Sequence, residues 1–469
     1  MSLFSSLSSG ATALNAQSYA IQIAGKNLAN VNNADYARER VVFGTGGLVQ
    51  TSIGAVSFDL AAKSVAQIRD AFLDQQVAKE SSIRNALQTE QEALQRAQAG
   101  LGESVAATSG SDIATGSNSG LSAQLASFFD SFQSLAASPT DVGERQTLLQ
   151  NAAILTDTFR QTDANLTQVQ ADLNAQIQSD TSDVNTLLNT IATLNGQIAR
   201  FEGNQPGSAV DLRDQRQQAI EQLAAKLSFE TRPATNGYGQ IQIVAQDTGG
   251  NDVVLLDNTV VNNAVVFNGA SLTAGGTALA LASGSVKGAL DARDGAIQTL
   301  RSNLDALAGQ LVTSVNAAYN PGGATGDFFV AGGTTAGTIV LAAGLTTANL
   351  KASAGGNAGD NTVALAVANL ASKSFSTAAG DAFDGTFIQF YSGAISDFGQ
   401  VLSGLNARVD NQTAVENLVR SQRDSVSGVS LDEETTDLMK YQRSFQATSR
   451  FINVIDGLLE QVVNRLGAT

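Results

Sequence analysis

The chain has 469 residues, of which 43% are hydrophobic, and a formal net charge of −16. It contains no His and no Cys. These absences exclude His-based triads, His metal ligands, thiol nucleophiles, thiolate zinc sites and disulfides. Catalysis by carboxylates or by a Ser/Lys pair is still compatible with the composition. The residue types favour a structural protein over an enzyme, and no cofactor or metal is expected.

The charge balance also bears on possible partners. The 43 acidic residues outnumber the 27 basic ones, and no basic cluster is visible. We therefore expect no nucleic-acid partner, because the phosphate backbone would be repelled. No run of about 18 apolar residues is present, so no membrane insertion is expected. The first residues lack the basic and apolar segments of a Sec-type signal, and none is predicted.

The first 30 residues have the pattern of a helix with a coiled-coil seam. Apolar residues recur at every seventh position, namely at Leu7, Leu14, Ile21 and Leu28. A second seam position is filled by small or polar residues such as Gly10 and Gln17. The Asn- and Asp-rich segment 30–36 then predicts a turn that ends the helix.

Helical and β patterning alternate along the rest of the chain. Helices are predicted over 64–100, 121–136, 141–202, 209–228, 286–319 and from about 384 to the end. Strands are predicted over 41–60, 230–285 and 320–380. A helical region that ends and later resumes indicates a β domain inserted into a helical one. The predicted fold class is therefore mainly α with an inserted β domain (α+β).

The same pattern predicts a division into three domains. They are a terminal coiled-coil domain (1–30 plus 431–469), a helical-bundle body (31–229 plus 286–319 plus 381–430) and a β-rich domain (230–285 plus 320–380).

The helix predicted at 209–228 carries closely spaced charges of both signs. Asp211, Asp214 and Glu221 alternate with Arg213 and Arg216. This arrangement is typical of a solvated helix face with salt bridges. We therefore assign it no chemical role.

The C-terminal helix has the most informative pattern in the chain. Ser430 and Glu433 fit a capping box, in which Ser430 is the N-cap and Glu433 the third helical residue. An apolar seam then continues without interruption over four heptads, with alternating steps of three and four residues. This seam consists of Leu438, Tyr441, Phe445, Thr448, Ile452, Ile455, Leu459, Val462 and Leu466.

Beside the seam lies a second stripe, formed by Ala447, Phe451, Val454 and Leu458. One seam needs one neighbouring helix, whereas two adjacent stripes need at least two. Periodicity alone leaves two interpretations open. The helix lies in the core of an ordinary four-helix bundle, or it packs against the N-terminal helix and also against another molecule.

Motifs at both ends resemble those of a known family. The segments 427–434 (SGVSLDEE) and 438–447 (LMKYQRSFQA) resemble the signature of the flagellar hook-associated protein 1 family of the hook–filament junction. Residues 14–17 and 27–32 are similar to the motif that flagellar rod, hook and junction proteins share. Further similar segments follow in family order at 138–146, 211–216, 288–294, 327–329 and 359–365.

The turn after the first helix both matches this family and departs from it. Asn30, Asn32, Tyr36 and Arg38 match its motif. Residues 33–35 are Asn-Ala-Asp, where the family has Thr-Pro-Gly. The resemblance predicts a turn here, although the two residues that usually shape it are absent.

The resemblance implies a structural subunit of the bacterial flagellum that joins hook to filament. The terminal helices would form the inner coiled-coil domain, the helical body the next shell, and the β-rich domain the outer part. The assembly interface would then consist of Leu7, Leu14, Ile21, Leu28, Leu438, Tyr441, Phe445, Phe451, Ile452, Val454, Ile455, Leu458, Leu459 and Val462.

The resemblance also implies partners and a location. The partners would be further copies in a ring, the hook protein, a second junction protein towards the filament, and a cytosolic export chaperone on residues 431–469. Type III export would deliver the chain to the hook–filament junction outside the cell. Two alternatives stay open, another axial flagellar protein and a secreted binding or adhesive module. The motif at 427–434 together with the long helical body at 121–229 favours the junction family.

Overall fold

The structure is a computed structural model. It describes residues 3–33, 36–46, 49–51, 54–56, 59–102, 120–234, 238–323, 326–355 and 359–466.

Helices dominate the described part of the chain. In chain order they are α1 Leu3–Ala29, α2 Ala71–Leu101, α3 Leu121–Ala137, α4 Val142–Glu202, α5 Val210–Lys226, α6 Ser285–Asp294, α7 Ala296–Tyr319, α8 Thr362–Ala368, α9 Phe387–Ser427 and α10 Leu431–Leu466. Most predicted helices are confirmed to within a few residues. The helix predicted over 286–319 is divided at Gly295 into α6 and α7. None of these described helices is long and apolar enough to cross a membrane.

The strands are short, and all their pairings are antiparallel. They are β1 Glu39–Thr45, β2 Val49–Thr51, β3 Gly54–Val56, β4 Leu60–Gln67, β5 Glu230–Pro233, β6 Ile241–Gln246, β7 Asp252–Asp257, β8 Val260–Val261, β9 Val265–Phe267, β10 Leu272–Ala274 and β11 Thr277–Ala278. They form the sheets β1-β4, β2-β3, β5-β6-β7-β8 and β11-β10-β9. Strands predicted at 41–60 and 230–285 are therefore confirmed.

Two predictions about elements are wrong. The helix predicted from residue 64 begins at Ala71, because β4 continues to Gln67 and pairs with β1. The strands predicted over 320–380 are absent from the described residues, apart from isolated bridges such as Phe329 to Leu341. This segment forms turns and α8 instead. Its Gly, Ala and Thr content fits irregular structure as well as strand, and its Phe side chains pack into a helical core.

The chain forms two compact units. Unit 1 comprises Met1–Arg84, Thr181–Gly284 and Gln412–Thr469, and unit 2 comprises Asn85–Asp180 and Ser285–Asn411. The two parts of the predicted β-rich domain fall in different units, 230–284 in unit 1 and 320–380 in unit 2. The β-containing part of unit 1 is inserted between helical segments, so the fold class, mainly α with an inserted β domain, is confirmed.

In unit 1, the sheet β1-β4 packs against the first helix. Glu39 lies opposite Gln67 and Thr45 opposite Leu60, with a bulge between Val42 and Phe43. The inward-facing Val41 forms a small core with Ala20 and Ile23 of α1, which Phe43, Val65 and Tyr441 border. Because strand residues alternate between faces, Val41 can lie in this core while Val42 is exposed.

Buried polar side chains attach the second sheet of unit 1 to its helices. Asn195 of α4, which is fully buried, donates to the backbone oxygens of Ile241 at 3.0 Å and Asn258 at 2.6 Å. Arg216 of α5 donates to Asn195 Oδ1 at 2.8 Å and to the Gly239 oxygen at 2.7 Å. Burial lowers the pKa of Arg216 to about 10. These bonds fix β6 on the helical part of unit 1.

Unit 2 has an aromatic core. Phe128 of α3 packs edge-on against Phe132 and Phe328, with ring centroids 5.2 Å and 5.8 Å away. Tyr319 of α7 packs against Phe328 at 5.2 Å. Asn316 accepts from the backbone N–H groups of Phe328 and Phe329, which fixes the irregular segment that contributes both rings. All these rings are fully buried within the unit.

Candidate assembly interface

The terminal helices α1 and α10 pack side by side in antiparallel orientation. Gly10, near the start of α1, lies against Ile452 of α10. Thr448 Oγ1 donates to Gln17 Oε1 at 3.4 Å. Near the end of α1, Asn27 Nδ2 donates to Glu434 Oε2 at 3.1 Å, close to the start of α10. Rising residue numbers on α1 thus meet falling numbers on α10.

The seam of α10 is largely covered. Ile455 is buried, and the other covered members are half-buried: Leu438, Tyr441, Phe445, Thr448, Ile452 and Leu459. Val462 is exposed, and the side chain of Leu466 lies outside the described part of the chain. The α10 seam contacts Gly10 and Gln17, and it also borders the core of Ala20, Ile23 and Val41. This face of α10 therefore lies against α1 and the β1-β4 sheet.

On α1, the centre of the contact differs from the predicted seam. The buried residues are Gly10, Ala16, Gln17, Ala20, Ile23, Ala24 and Asn27, whereas the predicted heptad residues Leu7, Leu14, Ile21 and Leu28 are only half-buried. The small residues allow a close approach of the helices. A Cβ on Gly10 would lie 2.9 Å from Ile452 Cγ1, closer than ordinary packing permits. The bulk of α10 is therefore accommodated by the small residues of α1, and the leucines flank the contact.

The second stripe of α10 is exposed to solvent. The exposed fractions are 49% for Phe451, 61% for Val454 and 45% for Leu458, and Ala447 is also exposed. Val462 and Val463 extend this apolar surface towards the C-terminus. A contiguous exposed apolar surface is a feature that many protein interaction sites share.

A buried polar cluster connects the end of α1, the start of β1 and the start of α10. Asn27 Nδ2 donates to the Glu39 backbone oxygen at 2.8 Å as well as to Glu434. Asn27 Oδ1 accepts from the Tyr36 hydroxyl at 2.7 Å and from the Glu39 N–H at 3.0 Å. Burial, reinforced by the charge of Glu39, raises the pKa of Tyr36, so its hydroxyl keeps the proton it donates.

Arg38 binds the first turn of α10. Its Nε donates to Glu434 at 2.6 Å, and its other nitrogens pair with Glu433 and, at 3.8 Å, with Asp437. Its backbone N–H donates to the Ser427 oxygen at 2.9 Å. Burial opposes the charge, but the carboxylates of Glu433 and Glu434 hold the pKa of Arg38 above its usual range. Arg38 thereby joins β1 to α10.

The two predicted cap residues have separate roles. The Glu433 N–H donates to Ser430 Oγ at 3.5 Å, a long contact at the position of an N-cap bond. The Glu433 carboxylate, which a capping box would direct to the Ser430 N–H, is paired with Arg38.

The turn after α1 is closed by its asparagines. Asn30 Nδ2 donates to the Lys26 oxygen at 2.9 Å, and the Asn33 N–H donates to the Asn30 oxygen at 2.9 Å. The Tyr36 N–H donates back to Asn33 at 3.2 Å. Asn32 is exposed. Ala34 and Asp35, which replace the family's Pro and Gly, lie outside the described residues.

A second set of ion pairs connects this site to α5. Lys26 pairs with Glu39 and with Asp211, each at 2.6 Å. Burial raises the pKa of Glu39, an effect that Lys26 partly offsets. Arg69 pairs with Asp214 at 2.7 Å, and burial raises the pKa of Asp214 to about 6. The predicted solvated face of α5 is thus partly wrong, since Asp214 and Arg216 are largely covered.

The motifs at 27–32 and 427–434 contain Asn27 and Glu434, but the sequence does not distinguish these two residues as site residues. A signal was present, because Asn is a weak helix former and Asn27 occupies an interior helical position. Its partner Glu434 is 407 residues away, and the sequence gives no indication of this pairing. Within the described ranges, no group of three or more acidic side chains is arranged to hold a metal ion.

Comparison with known proteins finds two family models that match parts of this chain. Residues 110–329 match the family model of the flagellar hook-associated protein FlgK helical domain. Residues 420–466 match the model of the flagellar basal body rod FlgEFG protein C-terminal region. The second match covers α10, and the first distinguishes the chain from rod proteins.

Individual relatives agree. Flagellar hook-associated protein 1 of Bacillus subtilis is 27% identical over 99% of both chains. The Salmonella typhimurium protein of the same name is 27% identical over 57% of this chain and 42% of its own. The solved flagellar hook junction protein FlgK from Burkholderia pseudomallei is 22% identical and covers 54% of this chain and 46% of its own, with a TM-score of 0.44. The chain is thus similar along its whole length to flagellar hook-associated protein 1, and residues 110–329 match the helical-domain model of that family.

Proposed function

We propose that this chain is a structural subunit of the junction between flagellar hook and filament, assembled through α1 and α10. One observation carries the proposal. The seam of α10 is covered by α1 within the chain, whereas the second stripe is not covered. Of the two interpretations that periodicity leaves open, an interface with another molecule accounts for both stripes.

The partner of the second stripe is a further copy of the same chain in a ring. The stripe is apolar and carries no charge of its own, so a like surface can pack against it without burying unpaired charges. The half-buried Leu7, Leu14, Ile21 and Leu28 offer a second apolar surface on the same helix pair. Copies joined through such surfaces would line the axis, with the remaining parts of each chain further out.

The ends of this ring contact the hook protein on one side and a second junction protein on the other. Before assembly, residues 431–469 bind a cytosolic export chaperone, which shields the exposed stripe during type III export. The mature protein acts outside the cell at the hook–filament junction. Its role is structural, without catalysis. Similarity to flagellar hook-associated protein 1, the uncovered stripe and the absence of His and Cys support this proposal.

Charged substitutions in the second stripe test the proposal. Val454→Asp and Phe451→Asp place a carboxylate where a neighbour would pack, and both side chains are exposed, so the isolated chain keeps its fold. In a strain deleted for this gene, these variants are expected to leave cells non-motile and to release unpolymerised flagellin into the medium.

Asn453→Asp is the matched control. Asn453 lies on the same helix between the two positions and is also exposed, but outside both stripes. It adds the same charge and is expected to restore swimming fully. Normal swimming with Val454→Asp and Phe451→Asp, at wild-type secretion levels, would contradict the proposal.

A further inference from the structure

The helix pair α1–α10 has an ambiguous apolar pattern. Its seam residues repeat every seven positions, so a shift of one heptad, about 10 Å along the helix, matches apolar residues equally well. Gly10, which now lies against Ile452, would face Phe445 after one such shift and Leu459 after the other. The apolar contacts alone therefore do not select one register.

The polar cluster does distinguish these registers. Asn27 is 2% exposed, and its side chain donates to Glu434 Oε2, itself on a residue that is 3% exposed. A shift of one heptad would bring Tyr441 opposite Asn27 in one direction, and in the other would place Asn27 beyond Leu431, the first residue of α10. Asn27 would then be buried without its partner, which is costly for an amide, whereas Glu434 would keep only its ion pair with Arg38.

Asn27 is also one of the groups that attach α1 to the other elements at this end, together with Lys26, which pairs with Glu39 and Asp211. Arg38 stays with α10 through Glu434 and with the end of α9 through its backbone bond to Ser427. Asn27 has four bonds, to the Tyr36 hydroxyl, to both backbone groups of Glu39 and to Glu434. A displacement of α1 breaks all four together, while the Arg38 ion pairs are retained.

We propose that the buried Asn27–Glu434 pair fixes the register between α1 and α10, as a single buried Asn does in coiled coils. This inference adds to the proposed function. Only its consequence for assembly rests on that function. A slipped α1 would displace its apolar surfaces by about 10 Å relative to the second stripe. Neighbouring copies would then meet a mismatched surface.

The absence of cysteine allows the register to be read directly. Three double variants report it: Gly10→Cys with Ile452→Cys for the observed register, and Gly10→Cys with Phe445→Cys or Leu459→Cys for the two slipped ones. The purified full-length chain is oxidised with copper phenanthroline, and intramolecular disulfides are quantified by mass spectrometry. With Asn27 present, the 10–452 disulfide is expected to exceed each of the others at least tenfold.

Asn27→Leu is expected to reduce this preference to less than threefold. Asn15→Leu, the same substitution at an exposed position of α1, is expected to leave it unchanged. Glu434→Gln keeps an oxygen that can accept from Asn27 and is expected to preserve it, whereas Glu434→Leu is not. The two Glu434 variants test the proposal even if Asn27→Leu fails to fold.

A tenfold preference that persists in folded Asn27→Leu and Glu434→Leu would overturn the inference, as would equal yields of the three disulfides with Asn27 present. The measurement uses the free chain and does not depend on flagellar assembly. If the disulfide yields contradict the register inference while Val454→Asp still abolishes swimming, the proposed function is therefore unaffected.

Discussion

Helices α3 in unit 2 and α10 in unit 1 are both amphipathic, but they bury their apolar residues to very different extents. Leu125, Phe128 and Phe132 of α3 are fully buried within the chain. On α10, Glu434 and Ile455 are the buried residues of the described part, and Phe451, Val454 and Leu458 are exposed. The apolar surface of α3 is thus used to stabilise the fold, whereas a large part of that on α10 is left uncovered within the chain.

The difference has a physical consequence. Removing a side chain from a packed core leaves a cavity and loses burial, while removing an exposed one changes the isolated chain little. The two helices should therefore respond oppositely to the same substitution. Stability measurements would detect changes on α3, and assembly measurements would detect changes on α10.

A matched pair of Phe substitutions gives the largest expected contrast. Phe128→Ala removes a ring that packs against Phe129, Phe132 and Phe328 and should lower the free energy of unfolding by about 3–5 kcal/mol. Phe451→Ala should change it by less than about 0.5 kcal/mol. Urea unfolding followed by circular dichroism measures both. Equal losses in the two variants would show that α10 is part of the folded core after all.

Removing Arg38 probes the polar end of the α1–α10 pair. Arg38→Ala leaves the buried Glu434 carboxylate without its cation and is expected to cost about 2–3 kcal/mol, somewhat below the cost for a fully buried pair. Arg160→Ala breaks an exposed pair with Asp157 on α4 and should cost less than about 0.5 kcal/mol. Amide exchange should show the loss in Arg38→Ala confined to α1, α10 and the β1-β4 sheet. Uniform loss over the chain would argue against a local role.

Substitutions at two glycines of α1 are expected to change stability by smaller amounts and in different directions. Gly10→Val overpacks the contact with Ile452 and is expected to destabilise the helix pair by about 1–2 kcal/mol. Gly25→Val meets no atom within 4 Å and should be neutral or stabilise by a few tenths of a kcal/mol, because Val is a better helix former than Gly. Thermal unfolding of both variants distinguishes these signs. A stable Gly10→Val would mean that the helices do not approach closely at this position.

The outcome for α1 shows what the sequence could and could not predict. Its length and its pairing with α10 follow from periodicity and from the motifs at both ends. The contacting face does not, because the heptad leucines are the stronger pattern while Gly10, Ala20 and Ala24 form the contact. Which face a helix buries depends on the size of its partner's side chains, and here the partner lies about 400 residues away in sequence.

The same limit applies to charge. The alternating charges of α5 favour a solvated helix face. Arg69 pairs with Asp214 of this face. Because Arg69 and the β1-β4 sheet belong to other segments of the chain, the local pattern of α5 does not reveal them. The strands predicted over 320–380 failed for a related reason. Phe328 and Phe329 there are fixed by Asn316 of α7 in a helical core, and a local count of Gly, Ala and Thr does not reveal this.

Asp214 tests whether the charged face of α5 is buried. The expected effect on the free energy of unfolding is the smallest of those considered. Burial raises the pKa of its carboxyl to about 6, although Arg69 opposes the shift, while in the unfolded chain the value is about 3.9. Between about pH 4 and pH 6 the folded state therefore holds more protons than the unfolded state. This group's contribution to the free energy of unfolding falls as the pH rises through that window and stays low above it.

Asp214→Asn removes this titration while keeping a polar side chain opposite Arg69. The difference in unfolding free energy between wild type and variant should change by on the order of 1 kcal/mol between pH 4 and pH 7, in favour of the variant at the higher pH. Urea unfolding at both pH values measures it. Asp211→Asn, at an exposed position on the same helix, serves as the control for removing one carboxylate from α5. If the difference between wild type and Asp214→Asn does not depend on pH, Asp214 is solvated, and the charged face of α5 is the open surface that its sequence pattern suggested.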